Sequence, residues 1–135
     1  MPISTPAPPP PGTSPPEAAL DPAALANLRS LDPTGANKLL DRVLAAFEKS
    51  TERLLPQLRA ARAAADLQSV KHVAHTLRSS SASIGAVKLS RLCAEIETMI
   101  REGHSYDSLD ARVIALDAEI ETALGALRAL LRGGA

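Results

Sequence analysis

The stretch A-H-T-L-R-S-S-S-A-S-I-G-A, from Ala74 to Ala86, decides the fold because it combines an apolar helical stripe with one histidine outside that stripe. Residues spaced three and four positions apart share one face of an α-helix. The stripe defined by this spacing comprises Val70, Val73, Ala74, Leu77, Ser81 and Ile84. His75 points roughly 150° away from the centre of the stripe. The pattern therefore predicts an amphipathic helix that packs on a core and presents His75 to solvent.

The predicted outer face around His75 is basic and open. Lys71 and Arg78 lie one turn before and one turn after the histidine. The small residues Ser79 and Ala82 leave room for an approaching partner. A neutral imidazole offers a nitrogen lone pair, and neighbouring cations stabilise phosphoryl oxygens. We therefore predict that His75 accepts a phosphoryl group, whose charge Arg78 and Lys71 help to stabilise.

A long apolar stripe precedes this helix. Its members are Leu40, Val43, Leu44, Phe47, Leu54, Leu55, Leu58 and Ala61. Pro56 interrupts the stripe, and a proline inside a helix removes one backbone hydrogen bond and clashes with the preceding turn. We expect a kink or a restart near Ser50 or Thr51, which gives either one long bent helix or two.

Capping residues indicate where other helices begin and end. Asp21 is an N-cap residue, and Pro22 fits the first position of a short helix that runs to about Ser30. Asp66 caps the helix that carries the histidine, and Gly85 marks the turn at its end.

Two further helices complete the chain. The first, from Ala86 to about Glu102 and closed by Gly103, is expected to bury Leu89, Leu92, Cys93, Ile96, Met99 and Ile100. The second begins near Asp107 or Ser108 and repeats apolar residues at Leu109, Val113, Leu116, Ile120, Ala123, Leu127 and Leu130. No strand pattern occurs. The periodicity predicts an all-α fold, an antiparallel four-helix bundle with an accessory N-terminal helix.

The chain resembles the histidine phosphotransfer (HPt) domains of two-component phosphorelays, whose motif reads roughly A-H-x-L-K-G-S-S-x-x-x-G-A and then L-x-x-L-C-x-x-[IL]-E. The matching positions are Ala74, His75, Leu77, Ser80, Ser81, Gly85, Ala86, Leu89, Leu92, Cys93, Ile96 and Glu97. Residues 20–28 and 54–61 look like the earlier helices of such domains, and we assign the HPt domain to residues 20–132. Arg78 replaces the usual Lys of the family and keeps its charge. Ser79 replaces the usual Gly, and its hydroxymethyl group narrows the approach of a partner.

The resemblance implies a phosphorelay intermediate. His75 is expected to accept a phosphoryl group from the aspartyl phosphate of a response-regulator receiver domain and to pass it to another receiver, with a hybrid sensor histidine kinase as a further partner. The protein is then a phosphoryl carrier and not an enzyme, and its sequence has no glycine-rich nucleotide-binding loop. We expect no cofactor of its own, with Mg²⁺ supplied by the receiver. Glu97 is expected to accept the Nδ1 proton and orient the ring, whereas His72, Ser79 and Ala82 contact the partner.

Three other interpretations remain open from the sequence. His72 and His75, three residues apart, could share a zinc ion, although Cys93 belongs to an apolar stripe and no carboxylate lies in the same helical segment. A module that docks receivers without phosphotransfer is the main alternative. A structural bundle without a signalling role is the third. His104, in a loop, is expected to be exposed and to have no function.

The overall composition favours a protein partner. The chain has 135 residues and zero net charge, with acidic and basic residues interspersed, and Phe47 and Tyr106 are its only aromatic residues. A protein with neither a basic surface nor stacking side chains is not expected to bind nucleic acid or an anionic membrane. The single cysteine, Cys93, excludes an internal disulfide. We expect a soluble, cytoplasmic protein, because no apolar run spans a bilayer and no secretion signal is present. The apolar seam of the last helix could support a dimer, but we expect a monomer because such a stripe inside a bundle needs no partner.

Residues 1–19 are rich in proline, with eight prolines in the first 16 residues. This composition, without an amphipathic period, predicts a disordered or polyproline-like segment that serves as a tether or is a dispensable tail.

Overall fold

The computed structural model describes residues 19–133, which form five α-helices and no β-strand. In chain order the helices are α1 (Pro22–Ser30), α2 (Leu39–Ala64), α3 (Leu67–Ser83), α4 (Val87–Arg101) and α5 (Tyr106–Gly133). The prediction of an all-α fold is confirmed. Residues 1–18, which make up nearly all of the segment predicted to be disordered, lie outside the described residues. Within the described part of the chain, no helix has the length and apolar character needed to cross a membrane.

Helices α2 to α5 form a four-helix bundle. Helix α2 packs against α3 and α5, and α4 packs against the same two helices, while α1 lies on α2. The α2–α5 contacts show that these two helices are antiparallel, because Glu48 pairs with Arg128 at 2.6 Å whereas Arg62, later in α2, pairs with Asp110, earlier in α5, at 3.4 Å. The short connections between successive helices give the antiparallel order that the sequence predicted.

The core follows the predicted stripes on α3 and α5. The α3 stripe is no more than 1% exposed at Val70, Val73, Ala74, Leu77, Ser81 and Ile84. The α5 seam is buried inside the bundle at Leu109, Val113, Leu116, Ile120, Ala123 and Leu127. On α4 too many residues were predicted to be buried. Helices α3 and α5 cover this helix, and the edges of its apolar stripe stay close to solvent. The stripe residues that are only partly buried are Leu92, Met99 and Ile100.

Helix α2 is a single helix that continues through Pro56, so the restart expected as one option near Ser50 or Thr51 does not occur. Pro56 itself is exposed, whereas Leu55 before it and Leu58 after it are buried on the core side. Apolar burial on both sides of the proline holds the two halves of the helix against the same core and offsets the lost backbone hydrogen bond. The buried Thr51 hydroxyl donates to the carbonyl oxygen of Phe47 at 2.9 Å.

The ends of the helices lie close to their predicted positions. The Asp21 side chain accepts a hydrogen bond from the backbone N–H of Ala23 at 3.0 Å, as an N-cap does. Helix α5 begins at Tyr106, slightly earlier than the predicted start near Asp107. The Tyr106 ring is partly buried, and its hydroxyl donates to Asp110 one turn later at 2.9 Å, which extends the helix by one residue.

One residue joins α1 to the α3–α4 turn. Gly85 has a φ of +79°, a conformation that favours glycine, and its carbonyl oxygen accepts a hydrogen bond from the Asp21 N–H at 2.7 Å. This contact ties the start of α1 to the loop that follows the histidine-bearing helix.

Ser81 is a buried polar residue whose hydroxyl makes no hydrogen bond to the rest of the described chain. A buried hydroxyl without a partner loses its hydration and gains nothing in return. We expect Ser81→Ala to raise the free energy of unfolding by about 1 kcal/mol, measured by urea denaturation. Ser80→Ala is the matched control, because the Ser80 hydroxyl bonds the Leu77 carbonyl oxygen at 3.2 Å and its removal should not stabilise the fold. A lower stability of Ser81→Ala would contradict the expectation.

Candidate functional site

Helix α3 presents His75 to solvent. The cap at Asp66 sets the start of the helix, since its carboxylate accepts hydrogen bonds from the backbone N–H groups of Gln68 and Ser69. Hydrogen bonds from the Ser69 hydroxyl and from the Ser69 backbone N–H lower the pKa of the Asp66 carboxyl below its ordinary value. Ala74 belongs to the buried stripe of α3 and is fully buried. The His75 side chain points away from the centre of that stripe and is 77% exposed.

The imidazole of His75 contacts a carboxylate on the neighbouring helix. His75 Nδ1 lies 3.1 Å from Oε2 of Glu97 on α4. An ionised carboxylate only accepts hydrogen bonds, so this contact places a proton on Nδ1 and, in the neutral ring, leaves the lone pair on Nε2. Glu97 is mostly buried, with 11% of its side chain exposed, and so is not the freely solvated carboxylate that the sequence left possible. The exposed ring therefore turns a nucleophilic nitrogen toward solvent.

Arg78 contacts the same carboxylate. Its Nη1 lies 3.5 Å from Glu97 Oε1, so the two oxygens of Glu97 face two side chains of α3. The sequence predicted that Arg78 stabilises a phosphoryl group, and in this structure its guanidinium is paired with Glu97. Lys71 is exposed on α3, and within residues 19–133 it forms no ion pair with a carboxylate.

A second link between α3 and α4 was missed by the sequence reasoning. The Ser90 hydroxyl donates to the carbonyl oxygen of Arg78 at 3.0 Å, close to the Glu97 contacts. Ser90 lies seven residues before Glu97, two turns along the same face of α4, and this spacing was the available signal. The bond helps to set the register of the two helices at the site.

The remaining residues predicted for partner contact lie on the same helix. His72, Ser79 and Ala82 are all exposed on α3. Ser79 therefore occupies the surface one turn after His75, as its position predicted. His104 is exposed, with Nε2 3.6 Å from Oε1 of Glu102.

The two helices at the site, α3 and α4, contain more basic than acidic residues. The basic residues of α3 and α4 are Lys71, Arg78, Lys88, Arg91 and Arg101. Their acidic residues are Glu95 and Glu97, and Glu95 pairs with Arg112 of α5 at 3.1 Å. Helices α3 and α4 thus carry more basic than acidic residues, although Asp66 and Glu102 lie at their ends and the chain as a whole is neutral.

The zinc interpretation finds no support in the geometry. Within residues 19–133, no three His, Cys, Asp or Glu side chains come together as metal ligands. Cys93 is completely buried, as the prediction of a small core residue requires.

Cys93 is expected to be chemically inert in the folded protein. Burial, with a smaller contribution from the negative charge of Glu97, raises the pKa of its thiol to about 12. At pH 8 only about one thiol in 10⁴ is then ionised, and the thiolate is the reactive form. We expect no reaction with a thiol reagent such as dithionitrobenzoate under native conditions and one reacting thiol per chain in guanidinium chloride. Fast native labelling would show that the α4 side of the core opens readily.

The comparison with known proteins gives the family. A family model described as Hpt domain matches residues 42–130, from α2 to near the end of α5. The chain belongs to the Hpt domain family. The match includes α3 and α4 with the complete His75 site, whereas α1 lies before its first residue. No curated protein matches this Hpt domain chain in sequence.

Solved structures of similar proteins agree with this assignment. The Hpt domain resembles histidine-containing phosphotransfer protein B (HptB) from Pseudomonas aeruginosa PAO1, with 30% identity and a TM-score of 0.67 over 86% of this chain and 93% of that one. It shares its fold with the HPT domain of a sensor hybrid histidine kinase from Shewanella, with 18% identity and a TM-score of 0.73 over 86% of this chain and 96% of that one. The protein is therefore a histidine phosphotransfer intermediate of two-component phosphorelays, a phosphocarrier.

Proposed function

We propose that Nε2 of His75 is the atom that accepts and releases the phosphoryl group. The observation that carries this proposal is the contact of Nδ1 with Glu97, which leaves the Nε2 lone pair on the exposed edge of the ring. Nε2 attacks the phosphorus of a receiver's aspartyl phosphate. The N–P bond forms while the P–O bond breaks, and the aspartate leaves as a carboxylate. The same steps in reverse pass the group to a second receiver.

Glu97 supports this chemistry through the other ring nitrogen. When Nε2 forms its bond to phosphorus, the ring gains positive charge, and the Glu97 carboxylate stabilises that charge through the Nδ1 proton. Lys71, which is exposed on α3, offsets the charge of the phosphoryl oxygens. In this proposal Mg²⁺ is held by the receiver.

The proposed partners are receiver domains and a hybrid sensor histidine kinase, with His72, Ser79 and Ala82 at the contact. The protein has no kinase activity of its own in this proposal and works as a monomer in the cytoplasm. Burial of the α5 seam inside the bundle supports the monomer, because the apolar stripe that a coiled-coil dimer would use is already covered.

Transfer from a radiolabelled, phosphorylated receiver domain in the presence of Mg²⁺ tests this proposal. We expect label that is labile in acid and stable in alkali, as for a phosphorus–nitrogen bond, and none from ATP without the receiver. Mass spectrometry at alkaline pH should place the phosphate on His75. Phosphate on His72 or His104 would contradict the assignment. Receivers that bind without transferring label would favour the docking module instead.

A further inference from the structure

Both oxygens of Glu97 are used by residues of α3. Oε2 lies 3.1 Å from His75 Nδ1, and Oε1 lies 3.5 Å from Arg78 Nη1. The two residues are three positions apart on one helix, so they are neighbours on its surface, and Glu97 lies across both of them from α4. Glu97 thus has two simultaneous contacts, one at each carboxylate oxygen.

The surroundings of Glu97 make the arginine contact consequential. The carboxylate is 11% exposed, and Cys93 beside it is buried and uncharged, with its thiol pKa raised to about 12 mainly by burial. A polar group that has lost most of its hydration is stabilised in one position by the partners that contact it. Arg78 supplies a permanent positive charge, since its guanidinium keeps its proton throughout the physiological range.

We propose that Arg78 is a positioning residue that acts on His75 through Glu97. Its guanidinium holds Oε1 of Glu97, so that Oε2 meets Nδ1 and the ring keeps its proton there. This inference rests on the proposed function of His75 and assigns Arg78 a role different from direct stabilisation of the phosphoryl group. The planar guanidinium suits the role, because one nitrogen reaches the mostly buried carboxylate while the side chain as a whole stays 53% exposed.

The alternative role makes different predictions. If Arg78 only neutralised the incoming phosphoryl charge, it would act as Lys71 does, and its effect would add to that of Glu97. If it acts through Glu97, its effect disappears once Glu97 is gone, because residues that work through one contact are not additive. The state of the His75 ring without any partner also separates the two roles, since a phosphoryl-binding residue has no effect on it.

The first test is long-range ¹H–¹⁵N NMR of the histidine rings at pH 8, where imidazole is largely neutral. We expect His75 to be mainly the Nδ1–H form in the wild type and to shift toward the Nε2–H form in Arg78→Ala. Glu97→Ala should give the same shift, and adding Arg78→Ala to it should change nothing more. Lys71→Ala is the matched control, an exposed cation on the same face, and should leave the ring unchanged. A wild-type tautomer in Arg78→Ala would overturn the inference.

The second test is the rate of phosphotransfer from a receiver. Arg78→Ala is expected to slow transfer roughly tenfold in the wild-type background and not at all in the Glu97→Ala background. Equal slowing in both backgrounds would show that Arg78 acts on the phosphoryl group and would overturn the inference. Because the NMR measurement needs no receiver, failure of every receiver to transfer would count against the proposed function and leave the tautomer result to decide the role of Arg78.

Discussion

His75→Gln is expected to abolish phosphoryl acceptance completely while the protein stays folded. Glutamine has no ring nitrogen with a nucleophilic lone pair, so no label should exceed background in the receiver assay. The side chain at position 75 is 77% exposed, its polar partner within residues 19–133 is Glu97, and a glutamine amide is also a hydrogen-bond donor. The free energy of unfolding should therefore change by no more than about 0.5 kcal/mol, as measured by urea denaturation.

His72→Gln is the matched control for this experiment. His72 is exposed on the same helix three residues earlier, and its side chain makes no hydrogen bond to another described residue. We expect this variant to accept label to the full wild-type extent, with at most a lower rate, because His72 lies at the proposed partner contact and does not supply the acceptor atom. Label retained by His75→Gln would show that another residue is the acceptor, and loss of label in both variants together with loss of structure would mean that α3 does not tolerate the change.

Gly85→Ala is expected to destabilise the fold strongly, lowering the free energy of unfolding by roughly 3 kcal/mol. A Cβ at Gly85 would lie 2.6 Å from the backbone nitrogen of Asp21 and 2.9 Å from the Cβ of Ala24, and the φ of +79° adds strain for any L-residue. Relief requires α1 to move away, which breaks the 2.7 Å hydrogen bond from Asp21 to the Gly85 carbonyl. Such a loss is a large share of the stability of a small domain, which is typically about 5 to 15 kcal/mol.

Gly103→Ala separates the two contributions to this cost. Gly103 also has a positive φ, +85°. A Cβ at this position would lie more than 4 Å from every described residue other than its two chain neighbours. This control should lose only about 1 kcal/mol, the cost of the left-handed conformation. Urea denaturation of both variants gives the comparison. Equal destabilisation of the two would mean that α1 does not press on the α3–α4 turn in solution.

The sequence predictions that the structure confirmed concern features that depend on residues close together in the chain. The stripe of α3 is set by the helical period, so the burial of Val70 and Leu77 and the exposure of His75 followed from spacing alone. The caps at Asp21 and Asp66 also act within three residues. Patterns of this kind specify where a helix lies and which face it buries.

Features that join two helices were beyond the pattern. Pro56 left one bent helix or two helices possible, and packing of the buried Leu55 and Leu58 against the core keeps α2 continuous. The partial exposure of Leu92 and Met99 depends on which sides of α4 other helices cover, and no periodicity within α4 states that. In both cases tertiary packing outweighed the local preference.

The candidate site divides in the same way. By itself the sequence determined that His75 lies on the solvent face of a helix, between Lys71 and Arg78. Lys71 lies one turn before the histidine and Arg78 one turn after it, so all three share one face. Only the tertiary structure decided that Glu97, 22 residues away, meets Nδ1 and that Arg78 turns to the same carboxylate. The physical reason is that helical spacing defines the faces of each helix, whereas the register between α3 and α4 arises from the packing of their buried side chains.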